Sequence, residues 1–269
     1  MLCSWLKSGI THLSNIHLVV GDTHAHPDFD NSRADLLAGL INDLRPDVYV
    51  HIGDSADMAS LSTYDRGLSY FVGRNYRDDV NAHLEFEDRV WGPVKRQKKK
   101  LPYRVFCIGN HEDRISRALS KSPELNGAIS MKDLQLETFY DTVVPYEGHG
   151  TPGVIDIDGI DYAHYVVAGI SGRPLASVHQ GFQLLQKRHK STIVGHSHVF
   201  SYDVQKYQKG TKTLHGLSLP CFVDYPVGWA GNVTDLWSRG VVILRGVSDG
   251  DFDMEFVSLR RLKEIYGDA

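Results

Sequence analysis

The sequence predicts a layered α/β fold, with sheet packed on sheet and helices outside. Three observations predict it. Short β-branched runs alternate with helical periodicity through the first two thirds of the chain; four such runs end alike, in a glycine followed by a chemically loaded side chain; and the last third breaks into short alternating runs between Gly-rich turns. The four runs are IHLVVGD (16–22), VYVHIGD (48–54), RVFCIGN (104–110) and STIVGH (191–196). In α/β sheets ligands gather beyond the carboxyl ends of the strands, so four such endings are expected to converge on one rim. Glycine at these positions permits unusual φ values and lets backbone come close to a ligand.

Between the first two runs, RADLLAGLINDL carries Leu36, Leu37, Leu40, Ile41 and Leu44 at helical spacing and stops at Pro46, which completes a βαβ unit. A second helix is expected from about Val80 to Lys100, broken near Gly92-Pro93 because proline removes a helical hydrogen bond. A third is expected over about Leu175 to His189. After His198, the runs VFSYDVQKY, TKTLHGLSL, GVVILRGV and DFDMEFVSL read as antiparallel sheet. Residues 55–81 read as a long insertion beside Asp54.

A chain of 269 residues is long enough to bury a sizeable core, and a single domain over 1–269 is expected. With 42% hydrophobic and 23% charged residues the composition is that of a folded globular protein. The formal net charge of -4 gives no global pull towards nucleic acid or anionic membrane and leaves room for a local basic patch. No run approaches the roughly 20 apolar residues of a membrane helix. The early apolar patch, interrupted by Lys7, lacks a cleavage-type signature. Cys3, Cys107 and Cys221 are too scattered for a disulfide framework, so a soluble protein of a reducing cytoplasm is expected.

The loaded residues, in order, are Asp22 and His24, Asp54, Asn110 and His111, His164 in DYAHYVV, and His196 and His198 in GHSH. Carboxylate, imidazole and amide oxygen without thiolate suit Mn, Fe, Zn, Co or Ni rather than a structural zinc finger. The set is too large for one ion. It matches two ions about 3.5–4 Å apart, the arrangement used for in-line displacement at phosphorus, where bound water can fall from pKa 15.7 to about 7.

The order D-x-H, G-D, G-N-H-E, H, G-H-x-H over residues 22–198 resembles the calcineurin-like metallophosphoesterases, and the wording DMASLSTYDRG and SYFVGRNYRDDV is similar to members carried by tailed bacteriophages. The resemblance implies a β-sandwich of two mixed sheets flanked by helices and two divalent ions, Mn2+ foremost, with Fe, Zn, Ni, Co or Mg as alternatives. It implies that Asp22, His24 and His198 hold the first ion, that Asn110, His164 and His196 hold the second, and that Asp54 bridges them. His111 is left free of metal, to protonate the leaving oxygen or stabilise phosphoryl charge, with Asp57 matching the carboxylate that orients it. A phage origin would place the enzyme in the host cytoplasm.

Other residues read more plainly. His51 is expected to be a packed or solvated strand side chain, His179 and His189 to be helical and exposed, and Glu112, Asp113 and Arg114 to open a helix. His26 lies close enough to touch substrate, although a structural role is favoured. KRQKKK (95–100) reads as a solvated helix end before a nucleic-acid patch. Arg66, Arg74, Arg77 and, in GISGRPL, Arg173 are candidate phosphate contacts, with tyrosines nearby as stacking faces.

Two departures bear on substrate. The G-D-x-x-D-R-G of phosphoprotein phosphatases is GDSADMA here, and Ile108 stands where they carry an arginine, so two phosphate-binding arginines are missing. G-H-S-H is more typical of the phosphodiesterase and nuclease branches. The expectation is therefore a phosphodiesterase acting on DNA, RNA or nucleotides. A phosphomonoesterase is the runner-up, and a non-catalytic scaffold with the same fold is the rival from another class.

Overall fold

The computed structural model describes residues 15–147, 150–169, 172–206 and 212–267, so Cys3 and the N-terminal apolar patch lie outside the described residues. In chain order the elements are β1 (His17–Val20), α1 (Arg33–Leu44), β2 (Val48–His51), α2 (Tyr76–Arg96), β3 (Tyr103–Cys107), α3 (Asp113–Lys121), α4 (Leu136–Phe139), β4 (Thr142–Val144), β5 (Ile155–Ile157), β6 (Ile160–Ala163), α5 (Gln180–Arg188), β7 (Thr192–Val194), β8 (Ser201–Lys206), β9 (Thr213–Ser218), β10 (Gly240–Ser248), β11 (Asp251–Ser258) and α6 (Leu259–Tyr266).

The strands form two mixed sheets, ordered β11-β10-β1-β2-β3-β4 and β5-β6-β7-β9-β8. β1 to β4 are parallel, as are β6, β7 and β9. Their apolar runs are continuous because both strand faces are covered. Val19, Val50, Val105 and Cys107 point between the sheets with Tyr162, Ile193 and Leu217. Their neighbours Leu18, Val20, Tyr49 and Phe106 point outward to pack on helices α1 and α2. On the second sheet Ala163 and Val194 turn away from the sandwich and meet Leu184 of α5. The order is thus helices, sheet, sheet, helix, as the alternation predicts.

Three details differ from the sequence reading. The C-terminal runs do not form one antiparallel sheet: the β8–β9 hairpin extends the second sheet, and β10–β11 returns to the first, with β10 antiparallel to β1. The run Gly240–Leu244 is buried on both faces and needs an interior position, whereas much of β8 is exposed and suits an edge. Helix α5 begins at Gln180 rather than near Leu175. Helix α2 runs unbroken through Pro93 and begins at Tyr76, where the Asn75 side chain accepts the Arg77 N–H at 2.8 Å. The inserted segment is correspondingly shorter, holding two 3-10 turns at Ala59–Leu61 and Ser69–Phe71.

Pro93 is tolerated because Val90, Trp91 and Val94 are buried against the first sheet's outer core and hold the last turn in place. Since α2 joins the parallel β2 and β3, its C-terminus lies at their amino ends, so the exposed run 95–100 sits at the rim opposite the loaded strand ends. No helix among the described residues is long and apolar enough to cross a membrane. Replacing Pro93 with Ala restores a helical N–H without touching the buried stripe. It is expected to raise stability by about 1–3 kcal/mol, read as a higher urea midpoint.

Candidate metal centre

The carboxyl ends of β1, β2 and β3 lie side by side, and those of β6 and β7 face them from the second sheet. Backbone bonds lock the turns together: Thr23 and His24 N–H both donate to the Asp54 carbonyl (3.1 and 2.9 Å), and Gly195 N–H donates to the His164 carbonyl (2.9 Å). Four loaded residues adopt the left-handed region that non-glycine residues seldom occupy: His24 (φ 44°), Asp54 (52°), His196 (66°) and His198 (60°). Two of the glycines serve close approach rather than φ. A Cβ on Gly109 would strike the Asp54 carboxylate, and one on Gly195 would strike Ile52 and Asp22.

Asp22 and Asp54, 1% and 2% exposed, use their oxygens in the same way. Asp22 Oδ1 accepts the His196 N–H at 3.0 Å, leaving Oδ2 beside His198 Nε2 at 3.0 Å. Asp54 Oδ1 accepts the His111 N–H at 2.8 Å, leaving Oδ2 beside His164 Nε2 at 3.3 Å. His24 Nε2 lies 3.3 Å from His198 Nε2, and His164 Nε2 lies 2.9 Å from Asn110 Oδ1. Among the described residues the donors form the sets Asp22, His24 and His198, and Asp54, His164 and His196, with Asn110 joining the second; a third set, His24, Asp57 and His111, shares His24 with the first. All seven residues named from the sequence as ligands are therefore together at this rim.

The chemistry of these sets fits cations. His24 donates its Nδ1 proton to Asp57 Oδ1 (2.9 Å) and His164 donates its Nδ1 proton to the Ile52 carbonyl (2.9 Å). In the neutral rings both Nε2 atoms are then lone pairs: that of His164 faces the oxygens of Asn110 and Asp54, which a proton or a metal ion reconciles, and that of His24 faces His198 Nε2, itself beside Asp22 Oδ2. The same surroundings favour the protonated form of two of the rings. Burial alone would lower His164, but Asp54 outweighs it and lifts the ring to about 9. Burial likewise opposes His24, and Asp57 raises it above the ordinary value. His196, buried and next to His164, falls to about 4 and is neutral. Burial would raise both carboxyls, yet His198 holds Asp22, and His164 with His111 holds Asp54, below the usual carboxylate range.

His111 stands beside the two sets. Its Nδ1–H donates to the Asp57 carbonyl at 2.6 Å, and its Nε2 accepts from Arg114 Nη2 at 3.2 Å. The Asp57 carboxylate is closer to His24 (2.9 Å) than to His111 (3.3 Å), so this residue braces both rings. Burial first and Arg114 second lower the His111 pKa.

Sequence reasoning missed Glu112 and Arg114. Glu112 does precede α3, but its buried carboxylate turns back to accept N–H groups of Gly109, Asp54 and Ala56, each at 2.9 Å. Arg114 is pinned by the carbonyls of Asp57 (2.9 Å) and Met58 (3.2 Å) while it reaches His111. His51 is fully buried, contacting Thr23 Oγ1 at 3.2 Å, and burial lowers it to about 3.

The donor sets open into a cleft of about 420 Å³ lined by His24, Asp54, Tyr64, His111, Arg114 and His198 among others. A second cavity of about 380 Å³ shares Tyr64, Asn110, Arg114 and His196 with it and continues past Arg66, Arg117 and Lys121. Of the four arginines named from sequence, Arg66 lines this second cavity. Arg74 is turned to His26 Nε2 (2.8 Å) and Asp28 (2.9 Å), in a separate hollow lined by Phe29 and Tyr225. His26 therefore serves to hold Arg74. Arg77 and Arg173 are exposed and line none of these cavities, although Pro174 next to Arg173 does.

The chain matches the sequence model of a family described as calcineurin-like phosphoesterase over residues 17–226. Among solved structures it is similar to a conserved uncharacterized protein of Streptococcus pneumoniae TIGR4, described as a predicted phosphoesterase. The two share 13% identity and a TM-score of 0.37, over 93% of this chain and 92% of that one. No curated protein matches the chain.

Beneath Asp54, the next residue, Ser55, rests on a buried polar cluster of α2. Its hydroxyl meets Glu87 at 2.9 Å and His83 at 3.1 Å, and Glu87 also accepts from Tyr140 (2.9 Å) and Trp91 (3.1 Å). Burial pushes Glu87 up to about 7, above its ordinary 4.5. A carboxyl raised by folding contributes stability that is fully present below the unfolded pKa and lost as pH rises through the folded one. Glu87→Gln keeps the shape and removes the titration, so the fall in urea midpoint from about pH 5 to about pH 8 is expected to be smaller in the variant. Equal falls in both proteins would refute this role.

Proposed function

The chain belongs to the calcineurin-like phosphoesterase family, a family of metal-dependent phosphoester hydrolases, and from that premise we propose that it is a single-domain phosphodiesterase acting on nucleic acid or nucleotides. Asp22, His24 and His198 would hold one divalent ion and Asn110, His164 and His196 the other, with Asp54 shared. Such ions supply charge to phosphoryl oxygens and lower the pKa of water. The donor set has no thiolate and favours Mn2+ or a similar ion, since Cys107 and Cys221 are buried elsewhere in the core.

The observation that carries the diester reading is that the two cavities share Tyr64, Asn110, Arg114 and His196 as a common border. A phosphorus atom facing both donor sets has one ester arm leaving past His111 and room for a second arm in the cavity beyond Tyr64 and Asn110. A monoester would fill only one of these directions. Hydrolysis adds the oxygen of water to phosphorus and breaks the bond to the departing alcohol, which needs a proton. His111 donates Nδ1–H to the Asp57 carbonyl, so Nε2, which faces Arg114 Nη2 at 3.2 Å, is the atom that would hold that proton. Burial and, second to it, Arg114 beside Nε2 make the protonated ring a stronger acid, which suits delivery to an alkoxide.

With Mn2+ added, turnover of bis-p-nitrophenyl phosphate is expected to exceed that of p-nitrophenyl phosphate; cleavage of the monoester alone would overturn the diester assignment. His111→Ala should keep its bound metal while losing about 10²–10⁴-fold in kcat. Asp54→Ala should lose metal by elemental analysis, and full occupancy in that variant would count against a shared carboxylate.

A further inference from the structure

We propose that the basic face of α3 binds the backbone of a single-stranded polynucleotide beyond the scissile phosphate, an inference that rests on the phosphodiesterase reading above. Arg114, Arg117 and Lys121 follow one another at spacings of three and four and so share one face of the helix, and all three line the second cavity. At 1.5 Å per residue they span about 10 Å. Arg114 is at the metal end, in contact with His111, and Lys121 is at the far end. Arg66 lines the same cavity from the inserted segment.

No carboxylate is among the residues that line this cavity. Arg117 is partnered from its own helix, by Asp113 at 3.1 Å, and also reaches the Asn110 carbonyl, which ties it to a candidate ligand. A mononucleoside or cyclic diester brings phosphate only to the metal end and leaves the remainder of the stripe without an anion. A nucleoside polyphosphate concentrates its charge in a compact cluster near that end. A strand distributes one charge per nucleotide along the groove, as this stripe does. Tyr64, which borders both cavities and is 85% exposed, offers an open ring face at the junction. Basic groove plus accessible aromatic is how single strands are held without base-specific readout.

The test compares metal-loaded wild type with Lys121→Glu, an exposed change that leaves the core untouched, and with Arg117→Ala/Lys121→Ala. Substrates are bis-p-nitrophenyl phosphate, the p-nitrophenyl ester of thymidine 5′-phosphate, ATP, a single-stranded oligothymidylate and a duplex. The ratio of kcat/KM for oligothymidylate to that for bis-p-nitrophenyl phosphate is expected to fall about tenfold or more in both variants. In the double variant the slope of log(kcat/KM) against log[salt] should be shallower by about 1.4, at about 0.7 for each lost phosphate contact. An unchanged ratio and slope with bis-p-nitrophenyl phosphate still cleaved would overturn the inference alone. Duplex or ATP turned over as well as oligothymidylate, with equal sensitivity to the variants, would overturn the single-strand assignment. Failure to cleave any diester would instead remove the phosphodiesterase premise.

Discussion

Two ionised carboxylates buried between two sheets set the terms for everything around them. Asp22 and Asp54 are almost wholly removed from water, where an uncompensated carboxylate is costly enough that a protein must supply positive charge, hydrogen-bond donors or both. One oxygen of each is satisfied by a backbone N–H, and for Asp22 that N–H belongs to His196 of the opposite sheet. The second oxygen of each is left facing imidazoles whose other nitrogens, for His24 and His164, are already committed. Such an arrangement is closed by cations. The left-handed backbone at His24, Asp54, His196 and His198 is the local cost of aiming so many groups at one volume, and the two sheets packed behind it hold that backbone in place.

This constraint explains why the centre was legible in the sequence and its surroundings were not. A buried parallel strand reads as an apolar run. A glycine that allows a close backbone approach or a positive φ, followed at once by a carboxylate, amide or imidazole, leaves a mark that recurs at residues 21–22, 53–54, 109–110 and 195–196. His164 lacks a preceding glycine and was legible only through its place in the family pattern. Glu112 and Arg114 lay in plain view, but an acid and a base at a helix start have an ordinary explanation in the helix dipole. Only the fold reveals that Glu112 turns back to cap three strand-end N–H groups. Arg74 was misleading for a similar reason, since its pairing with His26 and Asp28 joins segments 46 or more residues apart.

The same distinction applies to the fold. Periodicity identified α1 and most of the strands, which depend on burial over a few residues, but not β4, β5 and β6, which are only three or four residues long. It could not tell that α2 would continue through Pro93, because the compensation comes from Trp91 and Val94 packing on other elements. Nor could it divide the C-terminal hairpins between sheets, since β10 and β8 differ in which neighbour they gain rather than in strand propensity.

Division of labour follows. The donor sets are fixed by burial and backbone, so they select for phosphorus and for little else about a substrate. Discrimination must come from the walls, and the two walls differ in charge. On the His26 side, Arg74 is paired with Asp28, and the hollow also carries Asp57 and Asp65 beside the aromatic surface of Phe29 and Tyr225. On the α3 side the lining charges are Arg66, Arg114, Arg117 and Lys121. A polyanion with one phosphate at the metals gains attraction in the second direction and repulsion in the first, which gives it a preferred course through the site before any base is recognised.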